Sequence, residues 1–282
     1  MSNTYWLVNF SLENFNLSKK RSFDLLGFAK KDNKLTNKIN LEVLYELKKV
    51  LNIPNAELTN KSGVLKNKTF IIQGFGNVGS WAALLLKERG CNIVAISDIS
   101  GGYYDEKGID IGKAIQYRNE NKGTLEGFKE ATKISNDELL KLEVDVLIPA
   151  ALENAITEKN VNSIKAKVIV EGANGPTSHE ADSIIEKNGI IAVPDILANA
   201  GGVIVSYFEW VQNRLGFKWT KSRVYRRSDS IIKQSFNNVY SISKKYKVSL
   251  RTAAYIAAID KVSRTYKYRD GSFTFQKNGQ NT

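Results

Sequence analysis

The sequence predicts an α/β fold in which a doubly wound sheet carries helices on both faces, with further helices toward the C-terminal end. Three observations point there. Five short apolar runs, at 69–73, 92–97, 144–148, 167–171 and 190–193, are rich in Val and Ile and do not alternate with polar residues. Strands covered on both faces read this way. Segments readable as helices or helical turns, at 80–89, 111–121, 136–141, 157–164 and 180–187, follow most of those runs, and such β-α alternation builds a layered, mainly parallel sheet. Finally, the first run leads directly into Gly74, Gly76 and Gly79, a G-x-G-x-x-G turn that opens a helix.

Taken in order, residues 1–63 form a linking region. Leu41, Leu44, Leu47 and Leu51, with Val43 and Val50, recur at helical spacing over 40–51. That helix ends before Ile53-Pro54, where proline disfavours continuation. Residues 1–38 show no clear periodicity. A second region, 64–213, holds the alternating strands and helices. Its first glycine permits a tight turn, its second a close backbone approach to phosphates, and its third close packing of helix on strand. The helix that follows presents N–H groups and a positive dipole end to an anion. Gly90 stops that helix, and the second strand ends on Asp98, 19 residues beyond Gly79. A carboxylate at about that distance grips the adenosine ribose of a dinucleotide in Rossmann-like folds. Later strands end in Pro149-Ala150-Ala151, Gly172-Ala173-Asn174-Gly175 and Pro194-Asp195, small residues and turn formers at the sheet edge where ligands bind. The apolar, aromatic stretch 203–213 begins a helical pattern. A third region, 214–282, continues it with a long polar-basic helix at 221–246 and an Ala-rich one at 249–266.

Composition narrows the classes. With 42% hydrophobic and 25% charged residues, the chain has ordinary globular balance. No apolar run approaches the ~20 residues that span a bilayer, so no membrane partner is expected. The first ten residues lack a basic segment and a small-residue cleavage site, so no signal peptide is expected. A lone cysteine, Cys91, excludes an internal disulfide and fits a reducing, cytoplasmic setting. One histidine, His179, and one cysteine make a zinc site of the usual ligands unexpected. His179 reads as part of a helix start. The net charge of +12 divides into +6 over 1–68, −7 over 69–213 and +13 over 214–282. No recognised nucleic-acid motif accompanies the basic third region, and nucleic acid is not an expected partner.

Longer motifs add a resemblance. Gln73-Gly74-Phe75-Gly76-Asn77-Val78-Gly79 comes first, followed by Ser97-Asp98 with Gly101-Gly102. Asp145-Val146-Leu147-Ile148-Pro149-Ala150-Ala151-Leu152-Glu153-Asn154 and Glu171-Gly172-Ala173-Asn174-Gly175-Pro176-Thr177 follow. Then come Asn199-Ala200-Gly201-Gly202-Val203, Ser206-Tyr207-Phe208-Glu209-Trp210 and Val248-Ser249-Leu250-Arg251-Thr252-Ala253-Ala254-Tyr255. Over about residues 64–270 the chain resembles the cofactor-binding half of glutamate dehydrogenases, within the glutamate, leucine, phenylalanine and valine dehydrogenase family. The resemblance implies binding of NAD or NADP. Gly74, Phe75, Gly76, Asn77, Val78 and Gly79 would seat the pyrophosphate, and Asp98 would meet the adenosine ribose. Ala150 and Ala151 would lie beneath the nicotinamide ribose, and Asn174 beside the nicotinamide. Asn199, Val203 and Ser206 would border an amino-acid substrate.

The family also places a substrate domain, with a glycine-rich lysine segment and a catalytic lysine and aspartate, ahead of the dinucleotide domain. Only 63 residues precede Val64 here, and neither Gly-Gly-Lys-Gly-Gly nor Pro-Ala-Pro-Asp occurs. No catalytic residue is therefore identified. Two readings of function follow. One is the cofactor half of an oxidoreductase converting L-glutamate to 2-oxoglutarate and ammonia, inactive alone and completed by a separate substrate-domain polypeptide or a homo-oligomer. The other is a non-catalytic dinucleotide-binding or regulatory subunit, or a truncated gene product.

Overall fold

A computed structural model describes residues 65–269 of the chain. The linking region 1–63, with its expected helix at 40–51, lies outside the described residues.

The sheet has seven strands in the order β4-β3-β2-β1-β5-β6-β7. β1 (Thr69–Gln73), β2 (Asn92–Asp98), β5 (Val146–Pro149), β6 (Val168–Val170) and β7 (Ile191–Val193) are parallel. These are the five expected strands. β3 (Gly101–Tyr104) and β4 (Thr132–Ile134) extend the sheet antiparallel beyond β2, so the sheet is mixed. Chain direction explains the switch. β2 ends at Asp98 and the chain turns through Ile99 and Ser100 straight back along it, leaving no room for a crossover helix.

Alternate residues of β1 feed two cores. Phe70 and Ile72 point into a layer with Leu85 and Leu86 of α1 (Asn77–Lys87) and Ala114 of α2 (Ile111–Glu120). Ile71 points the other way, toward Leu139 and Leu140 of α3 (Asn136–Leu140) and Ala181 and Ile185 of α4 (His179–Lys187). Helices on both faces are thus a direct result of strand periodicity. α5 (Asp195–Ala198) is a single turn, and α6 (Gly201–Leu215) follows it and stops at Gly216, whose φ of 63° needs no side chain to avoid. α7 (Lys221–Tyr246) buries Val224, Ser228, Ile232, Phe236 and Val239, a stripe at spacings of three and four. Ile232, Phe236 and Val239 join the same core as the strands, as do Leu250, Ala253 and Ala254 of α8 (Leu250–Arg269). The basic side chains of α7 occupy the outward face that remains.

Over 157–164, expected as a helix or a short helical turn, the structure has the shorter form: Val161–Ser163 is a 3-10 turn. Asn160 explains this: its Oδ1 accepts the Thr157 N–H at 2.8 Å and its Nδ2 donates to the Ala155 carbonyl at 2.9 Å. Both bonds draw its side chain back onto the loop and compete with α-helical bonding. His179 opens α4 as an exposed residue, with Ser178 as N-cap accepting from the Ala181 N–H. Cys91 is buried just ahead of β2, and burial pushes its thiol up to about 12, so it stays protonated and inert at neutral pH.

Candidate functional site: a shelf along the strand ends

The site starts from register. Gln73, the last residue of β1, is level with Ser97 of β2 and Pro149 of β5. The segments that follow these residues, beginning Gly74, Asp98 and Ala150, therefore emerge side by side. β1 is also where the winding changes direction, since β2 lies on one side and β5 on the other. Ligands bind at such switch points because loops from the two neighbouring strands run apart there.

The three glycines have different surroundings. At Gly74, with φ +92°, a Cβ would stand 2.7 Å from Ala151 Cα and 2.8 Å from the Ala150 carbonyl carbon. The turn is thus pressed against the β5 end. At Gly79 a Cβ would lie 1.8 Å from the Gly74 carbonyl oxygen, so only glycine lets α1 pack this closely on β1. At Gly76 a Cβ would meet nothing within 4 Å. Gly76 is the N-cap of α1, and no acidic residue stands in the first turn to oppose the helix dipole. Gly76, Asn77 and Val78 are exposed, whereas Phe75 is buried in the core and contributes only backbone to the turn. This open backbone with a positive helix end fits a diphosphate.

Arg118, near the end of α2, holds the turn from outside. Its Nη1 donates to the carbonyl oxygens of Phe75 at 2.7 Å and Gly76 at 3.2 Å, and to Ser80 Oγ at 3.1 Å. Ser97 Oγ accepts the Gly74 N–H from the other side at 3.3 Å. Asp98 is equally constrained. Oδ1 accepts from the Ser100 N–H at 2.8 Å and the Ser100 hydroxyl at 2.6 Å, and Oδ2 from the Leu125 N–H at 2.6 Å. The carboxylate is oriented before any ligand arrives, with lone pairs left for further donors.

Past β5, Ala150 is half-buried and Ala151 exposed, and neither adds bulk to the shelf. Asn174 follows β6 and Asn199 caps the end of α5, yet they meet: Asn199 Nδ2 donates to Asn174 Oδ1 at 2.6 Å. Val203 and Ser206, one turn apart on α6, are exposed. Behind this pair lies a charged cluster. Glu171, fully buried, accepts at Oε1 from Arg251 Nη2 at 2.6 Å, and Asp182 Oδ2 accepts from Arg251 Nε at 2.7 Å. Desolvation opposes the charge on Arg251, but the hydrogen bonds and charges of Glu171 and Asp182 outweigh it and raise its pKa. Two surface hollows lie elsewhere, one between α4, β7 and the α7–α8 corner and one around Asn67 and Cys91; neither includes the shelf residues. No group of three or more metal-ligating side chains occurs among the described residues.

Sequence reasoning brought the glycine turn, Asp98, the two alanines and the two asparagines to one edge. It missed Arg118, Ser100 and the Glu171–Arg251 pairing. Arg251 stood within a recognised motif, but nothing in its spacing pointed back 80 residues to Glu171.

A model of the glutamate, leucine, phenylalanine and valine dehydrogenase family matches residues 50–270. The chain belongs to this family. The family's members are oxidoreductases. A glutamate dehydrogenase of Thermotoga maritima is 51% identical over 205 residues, covering 72% of this chain and 49% of the relative. A cryptic catabolic NAD-specific glutamate dehydrogenase of Bacillus subtilis is 42% identical over 214 residues, covering 76% and 50%. Among solved structures, the Peptoniphilus asaccharolyticus glutamate dehydrogenase superposes with a TM-score of 0.67 at 33% identity, over 84% of this chain and 53% of that one. The hetero-hexameric Thermus thermophilus enzyme gives 0.74 at 25% identity, over the same shares. The chain thus spans about half the length of the curated relatives it matches.

Proposed function

We propose that the chain is the dinucleotide-binding half of a glutamate dehydrogenase-type oxidoreductase. The whole reaction is the reversible oxidative deamination of L-glutamate to 2-oxoglutarate and ammonia, with NAD or NADP. The observation that carries this is the open backbone at Gly76, set over an uncapped helix start, with Asp98 at the end of the neighbouring strand β2. A carboxylate at the end of the second strand beside a glycine turn suits a dinucleotide, whose ribose it can meet, better than a single phosphate. Gly74, Gly76, Val78 and Gly79 would seat the pyrophosphate and Asp98 the adenosine ribose. Ala150 and Ala151 would leave room for the second ribose. Asn174 would donate to the nicotinamide carboxamide through Nδ2, because its Oδ1 already accepts from Asn199. The nicotinamide supplies the hydride acceptor. Asn199, Val203 and Ser206 would form one wall of the amino-acid site, and the opposite wall would come from a substrate domain.

Asp98 favours NAD over NADP. An oriented carboxylate accepts from a ribose hydroxyl and repels a 2′-phosphate. Titration calorimetry with NADH and NADPH tests the binding reading: saturable NADH binding, with NADPH at least about tenfold weaker, is expected. No heat with either nucleotide would remove the reading. The side chains proposed to border the substrate, Asn199, Val203 and Ser206, include no general acid or base, which favours one further version, in which the chain binds the dinucleotide without turnover. Glutamate-dependent absorbance of the reduced nicotinamide, followed after adding a substrate-domain polypeptide, separates the two: a signal supports the catalytic half, and silence with binding intact supports the non-catalytic one.

A further inference from the structure

We propose that Arg251, at the start of α8, is a positioning residue that sets the Asn174–Asn199 pair and with it the nicotinamide end of the site; this rests on the dinucleotide reading above. The argument begins with a difficulty. Asn174 is exposed and followed by Gly175 at φ +53°, and Asn199 ends a helix of only four residues. Leu197 and Ala198 root α5 in the core, but the exposed Asn174 side chain is held by the Asn199 amide rather than by burial. A chain of charge-assisted hydrogen bonds supplies what packing does not.

Arg251 Nη2 donates to Glu171 Oε1 at 2.6 Å, and the other oxygen of Glu171 accepts the Asp195 N–H at 2.9 Å. Asp195 Oδ2 in turn accepts the Gly175 N–H at 2.8 Å, which fixes the residue next to Asn174. One turn further on, the Asn199 N–H donates to the Asp195 carbonyl at 2.9 Å. The β6 loop and the β7 loop are therefore tied to one another through Glu171 and Asp195, and Arg251 holds the junction. Its Nε is anchored on Asp182 of α4 at 2.7 Å, and its Nη1 lies 3.8 Å from Asp195 Oδ1.

Chemistry explains why an arginine stands here. Glu171 has no solvent exposure, and a buried carboxylate needs a paired, hydrogen-bonded cation. The rigid guanidinium fork serves two carboxylates at fixed angles, which a lysine ammonium does not. A well-packed apolar cluster would stabilise this corner as well or better, but it would not aim the Asp195 and Gly175 amides. The glycine turn and Asp98 are held by a different set, Arg118, Ser97, Ser100 and Leu125. Loss of Arg251 should therefore be felt at one end of the ligand only.

The test compares NADH with ADP-ribose, which lacks the nicotinamide. In Arg251→Met, NADH binding is expected to weaken about tenfold while ADP-ribose stays within about twofold of wild type. Arg251→Lys should fall between. Equal weakening of both ligands, or no change in either, would overturn the proposal. Should Arg251→Met fail to fold, Asp195→Asn carries the same comparison, since it weakens one link and leaves Glu171 paired. Hydrogen exchange gives a readout that needs no ligand: Gly175 should exchange at least about tenfold faster in the variant, with β1 unchanged. If the wild type binds neither nucleotide, the dinucleotide reading fails and exchange at Gly175 alone decides; an unchanged rate there sinks the role of Arg251.

Discussion

A methyl group added at Gly79 would lie 1.8 Å from the Gly74 carbonyl oxygen, whereas one at Gly76 would meet nothing within 4 Å. The two glycines stand three residues apart and separate stability from binding. Gly79→Ala forces α1 off β1 against rigid backbone, and a loss of at least about 3 kcal/mol is expected in urea denaturation. Gly76 has extended backbone that alanine tolerates, so Gly76→Ala should keep stability within about 0.5 kcal/mol. On the proposed dinucleotide reading its methyl would stand where the phosphates approach, and NADH binding should weaken at least about tenfold by calorimetry. At the other end of the strands, Asp145 shows how a single carboxylate ties three of them. It accepts from the Thr69 N–H at 3.1 Å and from Lys167 Nζ at 3.0 Å. Desolvation pushes its pKa up, but these bonds outweigh that and lower it from 3.8. A depressed carboxylate stabilises the fold above its unfolded pKa, and that contribution fades as pH falls through the lower folded value. Asp145→Asn should therefore cost about 1–2 kcal/mol at pH 7. Its melting curve should approach that of wild type as pH drops below 3.8.

Elements differ in how openly they are written. The five parallel strands were legible because burial on both faces demands uninterrupted Val and Ile, and that demand leaves a mark in the sequence. β3 leaves none: Gly101, Gly102, Tyr103 and Tyr104 pair with β2 because of the turn between them, and Tyr103 packs edge-on against Phe128 at 5.9 Å. β4 is three residues at an edge, mostly exposed, too short to show a period. α7 was legible in extent but not in purpose. Its sequence is basic and polar, yet Ile232, Phe236 and Val239, three or four residues apart, enter the sheet's core. Part of its charge serves locally, with Arg223 and Arg227 at 4.7 and 4.3 Å from the Trp219 ring. Phe236 is fully buried in that core, so Phe236→Ala should cost about 3–5 kcal/mol in thermal or urea unfolding. A cost under about 1 kcal/mol would mean that α7 is held mainly by its own hairpin with α8. Of the candidate site, the residues proposed to meet a ligand were legible because the glycine turn and the small residues after the strands stand in compact sequence motifs. The residues that hold them in place, Arg118 and Arg251, were not, since their partners lie 42 and 80 residues away.

For the molecule as a whole, what bears on the proposed reaction is how many sides of a substrate the described residues enclose. On α6, Val203 is 46% exposed and Ser206 is exposed. Hydride transfer requires the substrate carbon and the ring to be held at near-attack distance, and a single wall does not orient both. General acid–base groups on the substrate add about 10²–10⁴-fold to such reactions. Asn174, Asn199 and Ser206 are not general acids or bases near neutral pH, because amide and alcohol groups do not titrate there. On the proposed reading, binding and turnover should separate in the laboratory, since the described shelf offers a single wall and no general acid or base. Under saturating NAD and glutamate, the 282-residue chain is expected to reduce nicotinamide at least about 10³-fold more slowly than its full-length relatives, while binding NADH with a Kd of the ordinary micromolar order. Stopped-flow absorbance and calorimetry on one preparation check both halves of that statement. A rate near that of the relatives would mean that this chain completes the second wall itself, by self-association or with residues outside 65–269. Sedimentation of the active species would then show which.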